Sequence, residues 1–130
     1  MKVIVTGGTG FIGGRVVSAL IAKGHEVHVV SRSAQPDLGG VFFHKANLAK
    51  EEIPKACWKD AEAVFHIAAK AGIWGSAQSY HAANVLATRS VLEACGEHGI
   101  KALVHTSSPS VVFSSKAICG GNESLPYGRN

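Results

Sequence analysis

Residues 2–14 read Lys2-Val3-Ile4-Val5-Thr6-Gly7-Gly8-Thr9-Gly10-Phe11-Ile12-Gly13-Gly14. A short apolar run breaks into glycines and restarts as a helix. The stretch therefore predicts a strand, a tight turn and a helix start, in that order. Gly8, Gly10 and Gly13 fit a G-x-G-x-x-G spacing, and Gly7, Gly10 and Gly13 fit the related G-x-x-G-x-x-G spacing. Such a pattern is weak alone, but between a strand and a helix it becomes a phosphate-binding turn. A pyrophosphate must come close to the backbone there, where a Cβ would block it, and the turn favours the positive φ that glycine reaches most readily. The first helical N–H groups have no intrahelical partner and are available to phosphate oxygens. The helix dipole adds roughly half a positive charge at that end. Gly13 lets the helix pack closely on the strand. The plainer alternative is an ordinary strand-to-helix turn, and the well-formed elements on both sides weigh against it.

The following helix is predicted from Phe11 to Lys23, with Ile12, Val16, Val17, Leu20 and Ile21 on one broad apolar face. Gly24 closes it. Val27 to Val30 is a second strand after His25-Glu26, giving a β-turn-α-β unit with a crossover suited to parallel strands. The stretch 31–40 reads as a loop, and Val41 to His44 as a third strand. Leu48 to Trp58 reads as a weak helical segment interrupted by Pro54. Ala63 to Ile67 is a fourth strand, apolar enough to be buried on both faces. The stretch 72–79 reads as a loop. A long helix is expected from Tyr80 to Gly96, with Val85, Thr88, Leu92 and Cys95 on its buried face. Ala102 to Thr106 is a fifth strand, and the chain turns irregular after Ser114. Five strands alternating with helices predict an α/β, doubly wound parallel sheet in the order 3-2-1-4-5.

The 130 residues are enough for one domain with a sizeable core. No apolar run approaches the length of a membrane span, although 46% of the residues are hydrophobic. Cys57, Cys95 and Cys119 are odd in number and widely spaced, which suggests neither a disulfide framework nor a zinc site, and a cytoplasmic setting is expected. His25, His28, His44, His98 and His105 are read as structural, with no metal ligands expected, and His81 as exposed on the long helix. The net charge of +4 is scattered, without a Lys/Arg run, and so does not point to nucleic acid.

Ligands of such sheets bind beyond the carboxyl ends of the strands. The segments at those ends are Gly7 to Gly13, Ser31-Arg32, Ala68-Ala69 and Ser107-Ser108. An acidic residue about 20 positions past the glycines ordinarily holds the ribose 2′-OH of NAD. Here the second strand ends Val30-Ser31-Arg32-Ser33, with no carboxylate. Arg32 and the serines could instead hold a 2′-phosphate, which favours NADP over NAD. The plainer reading of Arg32 is an exposed loop charge.

Thr6 to Gly13, His66-Ile67-Ala68-Ala69, Asn84 and the run Thr106 to Phe113 together resemble the extended short-chain dehydrogenase/reductase superfamily, and within it the 3β-hydroxysteroid dehydrogenase/isomerase-like group, while Lys70 to Gly75 and the run Ser107 to Phe113 also resemble the bacterial reductases of 2-alkyl-3-oxoalkanoates. The resemblance covers essentially the whole chain. It implies a pyrophosphate turn at Gly7, Gly10 and Gly13, with Phe11 and Ile12 lending backbone N–H groups. It places Asn47-Leu48 against the adenine, where relatives often carry Asp-Leu. It sets Ala68, Ala69 and Lys70 along the cofactor, with Ser107 nearby, and gives Asn84 the task of holding loop backbone or a water. Ser108 matches the catalytic serine that hydrogen-bonds the substrate oxygen, where a fixed donor stabilises charge as hydride arrives. On its own, a serine at a strand end is more simply a loop cap. The implied activity is NAD(P)-dependent interconversion of a hydroxyl and a ketone on a small apolar substrate, such as a 3β-hydroxysteroid or a 2-alkyl-3-oxoalkanoate.

The superfamily's Tyr-x-x-x-Lys acid pair does not appear. Tyr80 has Asn84 four residues on, and Tyr127 lies in a segment resembling the loop before the catalytic tyrosine. The expectation is a single dinucleotide-binding domain over 1–130, cut before that pair and before the substrate-binding region, and inactive by itself. Alternatives are a nucleotide-sugar epimerase or dehydratase, a non-catalytic NADP-binding module and a remnant without function. A homodimer is left open.

Overall fold

The computed structural model describes residues 1–33, 38–50, 53–113 and 117–128. Five parallel strands form one sheet: β1 (Lys2–Thr6), β2 (Glu26–Ser31), β3 (Val41–Lys45), β4 (Ala63–His66) and β5 (Ala102–His105), in the order β3-β2-β1-β4-β5. The doubly wound topology is the expected one. The chain reverses direction of travel between β3 and β4, and the β1–β4 boundary is the switch point.

Side-chain alternation divides the core in two. Val3, Val5, Val27, Val29 and Ala63 face α1 (Phe11–Ala22), which contributes Val17 and Leu20. Ile4, Val30 and Val64 face the other way, against α2 (Lys55–Trp58) and α4 (Ala87–Glu97), which contribute Cys57, Trp58, Ala87, Val91 and Cys95. Each fully buried valine removes its side chain from water, worth roughly 1.5–3 kcal/mol of gross transfer energy. Among the described residues, no helix is long and apolar enough to cross a membrane.

Three sequence readings need correction. Ile12 is 54% exposed and is not part of the α1 core stripe. It sits in the first turn of α1, whose buried residues are Gly13, Val17 and Leu20. The helical reading of 48–58 reduces to Lys55–Trp58, with Pro54 as its N-cap. Proline there starts a helix instead of interrupting one. Residues 51–52 of that reading lie outside the described residues. The long helix begins earlier than Tyr80, as α3 (Ala77–Tyr80), and passes through a π-helical segment, His81–Leu86, before α4. The wider π turn shifts the helical phase. The buried residues are consequently Ala87, Val91 and Cys95, while Val85 and Leu92 are 44% and 52% exposed.

Candidate functional site at the carboxyl ends of the strands

The turn after β1 is built around Gly7, Gly8, Gly10 and Gly13, and a Cβ would come within 3 Å of a neighbour at Gly7, Gly8 and Gly13. Gly7 has φ +70°, and a Cβ there would lie 2.8 Å from the Ala68 backbone. A Cβ on Gly13 would lie 2.1 Å from the Gly7 carbonyl oxygen, so α1 packs against the turn only with glycine at that position. Gly10 differs: a Cβ there would meet only the Gly7 oxygen, at 3.3 Å, and the residue is exposed. Its open side faces solvent, as a close ligand approach requires. The Gly7 N–H donates to the Val30 carbonyl at 2.9 Å and the Gly10 N–H to the Gly7 carbonyl at 3.0 Å, which fixes the turn. Gly10 is the N-cap of α1 and offers no side-chain cap, and no acidic residue occupies the first helical turn. The N–H groups of Phe11 and Ile12 are thus left to an external acceptor at the positive end of the helix dipole. Both side chains are exposed beside them, Phe11 at 87%.

Because all five strands are parallel, the remaining sequence candidates gather at the same end. The Thr9 hydroxyl lies 2.7 Å from that of Ser31, tying the glycine turn to the end of β2. Arg32 is exposed and makes no ion pair among the described residues. Asn47 accepts a hydrogen bond from the Ala49 N–H at 3.2 Å, forming a local turn. Leu48 is 8% exposed and packs in the core, so its side chain is committed inward. Ala68 touches Gly7, as the short hypothetical Cβ distance requires, and is half-buried, while Ala69 after it is exposed. Ser107 is exposed. Ser108 is the N-cap of a short 3₁₀ turn, Pro109–Val112: it accepts from the Ser110 N–H at 3.3 Å, and its hydroxyl lies 2.8 Å from the Ser110 hydroxyl. The capping role and the catalytic expectation therefore fall on one side chain.

Sequence reasoning missed the buried relay that sets the loop after β4. The last sheet row places Thr6, His66 and His105 side by side on the α4 face. Thr6 Oγ1 accepts from the N–H groups of Ile67 and Ala68, both at 3.2 Å. Its lone pairs are then used, so its hydroxyl hydrogen is directed to His66 Nδ1 at 2.7 Å. His66 must consequently carry its proton on Nε2, which donates to Thr88 Oγ1 at 2.9 Å. Thr88 donates in turn to the Asn84 carbonyl at 2.7 Å. Asn84 closes the chain on the loop: Oδ1 accepts from the Lys70 N–H at 2.7 Å, and Nδ2 donates to the Lys70 carbonyl at 3.0 Å. Burial, with the neighbouring His105 second, pushes the His66 pKa down to about 4, which keeps the ring neutral as the relay demands. Lys70 extends over the Tyr80 ring, its Nζ 5.0 Å from the centroid, and the Tyr80 hydroxyl donates to the Gly72 carbonyl at 2.8 Å. Asn84 sits in the π-helical segment, a local geometry often found at functional sites. The available signal was polar residues, Thr6 and His66, ending two strands that are otherwise apolar.

Known proteins agree with this architecture. Residues 4–130 match the 3-beta hydroxysteroid dehydrogenase/isomerase family. A 2-alkyl-3-oxoalkanoate reductase of Stenotrophomonas maltophilia (strain K279a) is 42% identical over 134 residues, covering 100% of this chain and 41% of that protein. The Homo sapiens decarboxylating sterol-4-alpha-carboxylate 3-dehydrogenase is 33% identical over 123 residues, covering 95% of this chain and 33% of that protein. Among solved structures, MoeE5 in complex with UDP-glucuronic acid and NAD superposes with a TM-score of 0.85 at 34% identity, over 98% of this chain and 43% of that one. A UDP-galactose 4-epimerase superposes equally well, with a TM-score of 0.85 at 31% identity, over 98% of this chain and 44% of that one. The chain thus spans about two fifths of the length of the first of these relatives, 41%. Glycine turn, sheet order and sequence together place it in the 3-beta hydroxysteroid dehydrogenase/isomerase family, within the short-chain dehydrogenase/reductase fold.

Proposed function

We propose that this chain supplies the dinucleotide-binding part of an NADP-preferring reductase that interconverts a hydroxyl and a ketone on an apolar substrate. The observation that carries the reading is the uncapped start of α1 behind a turn in which Gly7 and Gly13 leave no room for a Cβ. That geometry fits a pyrophosphate. The Phe11 and Ile12 N–H groups would hold its oxygens, with Gly7, Gly10 and Gly13 keeping the approach clear. Ser31 and Arg32 would hold a 2′-phosphate at the end of β2, and among the described residues no carboxylate follows them at that strand end to repel it. Asn47 and Leu48 would border the adenine, Leu48 mainly through its backbone. Ala68, Ala69 and Lys70, set by the Thr6–His66–Thr88–Asn84 relay, would line the cofactor's path, with Ser107 beyond them.

When bound, the nicotinamide supplies or accepts a hydride. Ser108 has the chemistry to stabilise the oxygen that gains charge. The Ser110 hydroxyl can donate to Ser108 across their 2.8 Å contact, leaving the Ser108 hydrogen free to turn to a substrate oxygen. The apolar substrate class rests on the bacterial reductase and the sterol dehydrogenases among the relatives. A nucleotide-sugar substrate is the second reading, supported by the UDP-glucuronic acid complex of MoeE5 and by the UDP-galactose 4-epimerase. The 42% identity to the reductase, against 34% to MoeE5, favours the first.

Separate fluorescence titrations with NADPH and NADH test the cofactor assignment. Tighter NADPH binding is expected, and Arg32→Ala should weaken NADPH by roughly 10- to 100-fold, the loss of one charge-assisted contact, while leaving NADH nearly unchanged. Equal affinity for both cofactors in the unsubstituted chain, or tighter NADH, would refute it.

A further inference from the structure

On the sheet face opposite α1, three side chains from separate elements converge. His28 on β2 pairs across the sheet with Phe42, and Val30 pairs with His44, so His28 and His44 are diagonal neighbours on one face. His28 Nδ1 lies 2.8 Å from His44 Nε2, with the rings stacked at 5.1 Å. Cys57 of α2 descends onto the pair, fully buried, and the three ligand atoms lie within 4.8 Å of one another. The sequence reading expected no metal ligands among these histidines; in space they stand with Cys57 at ligand distance. The spacing is set by the sheet and by α2 packing, not by proximity in the chain.

We propose that His28, His44 and Cys57 form a binding site for a divalent metal ion of zinc type. Two imidazole nitrogens and one thiolate are a donor set suited to tetrahedral Zn²⁺. Ligand atoms around such an ion stand about 3.3–3.6 Å apart, given Zn–N near 2.0–2.1 Å and Zn–S near 2.3 Å. The two nitrogens need only open slightly from 2.8 Å, and the sulfur has to close by roughly 1.5 Å at most from the 4.8 Å limit. The outer contacts also fit. Glu26 Oε1 lies 2.8 Å from His28 Nε2, a carboxylate that orients the ring and leaves Nδ1 for the ion. Metal binding would displace the proton shared between the two rings and that of the thiol. Lys2 is the cation nearby, and its ammonium donates to the carbonyls of Ala56 at 3.0 Å and Lys59 at 2.7 Å, which partly satisfies its charge. The half-buried edge at His44 gives an entry path, and a water would complete the fourth position. The site would clip α2 to the β2–β3 edge, on the face away from the α1 turn.

Cobalt titration of chelator-stripped protein tests this. One Co²⁺ per chain is expected, with a thiolate-to-cobalt charge-transfer band in the near ultraviolet and tetrahedral bands in the visible. Cys57→Ser should abolish the near-ultraviolet band, whereas Cys119→Ser, at an exposed cysteine outside the cluster, should keep it. His44 is on an edge strand and half-exposed, so His44→Gln should still fold by circular dichroism and lose at least about 10-fold in Zn²⁺ affinity; Glu26→Gln should lose about 10- to 100-fold. No thiolate band in the folded unsubstituted chain, or a band that depends on Cys119, would overturn the proposal. Unchanged Zn²⁺ affinity in folded His44→Gln would do so equally.

Discussion

At the scale of single residues, two kinds of position carry the site, and they differ in how plainly they announce themselves. Gly7 and Gly13 can be recognised from spacing alone, because the reason for glycine is steric and local: positive φ at one, a carbonyl oxygen 2.1 Å from any Cβ at the other. His66 could not be, because its role depends on Thr6, Thr88 and Asn84, which meet only when β1, β4, the π-helical segment and α4 assemble. Its neutrality has a consequence for pH. The folded pKa is about 4, against 6.5 for the ordinary side chain. At neutral pH the ring is uncharged whether folded or unfolded, and the contribution is fully present. As pH falls below 6.5 the unfolded chain takes up a proton that the folded chain refuses, so stability is lost progressively down to about 4. Burial and the adjacent His28 also lower the His44 pKa, and that group acts in the same direction. Urea midpoints measured with a chelator present should fall across this window, and fall less steeply in His66→Asn. An equal slope in the variant would show that His66 is not the titrating group.

At the scale of elements, strand positions followed from β-branched runs and matched the observed strands closely. The helices were less legible where their geometry was irregular. The face of α4 was predicted by continuing a 3.6-residue period through His81–Leu86, and the π turn there broke that period. The same segment presents Asn84 to both backbone groups of Lys70. Asn84→Ala should therefore loosen the 70–76 loop more than it unfolds the domain. A lost hydrogen bond of about 1 kcal/mol corresponds to roughly fivefold faster exchange at the Lys70 amide. Hydrogen exchange read by NMR checks this, with core amides of β1 as the internal control. Uniform acceleration across the protein, or none at Lys70, would contradict a local positioning role.

At the scale of the whole molecule, the order β3-β2-β1-β4-β5 follows from a chain of strand–helix units wound right-handedly on either side of β1. That topology brings Gly7, Ser31, Ala68 and Thr106 to one end of the sheet, although they are spread widely along the sequence. Their convergence was legible from the expected fold. The Thr6–His66 relay and the His28–His44–Cys57 cluster were not, because both depend on which face each side chain takes. The central claim is that the turn at the start of α1 holds a dinucleotide, and binding of NADPH to the purified chain, compared with Gly13→Val, tests it most directly. A β-branched side chain would collide with the Gly7 carbonyl and displace α1 from the turn, costing about 1–3 kcal/mol of stability as well as the site. With both proteins shown to be folded by circular dichroism, saturable NADPH binding and a raised melting temperature are expected for the unsubstituted chain, and neither for Gly13→Val. No binding by the folded unsubstituted chain, or equal binding by the variant, would contradict it.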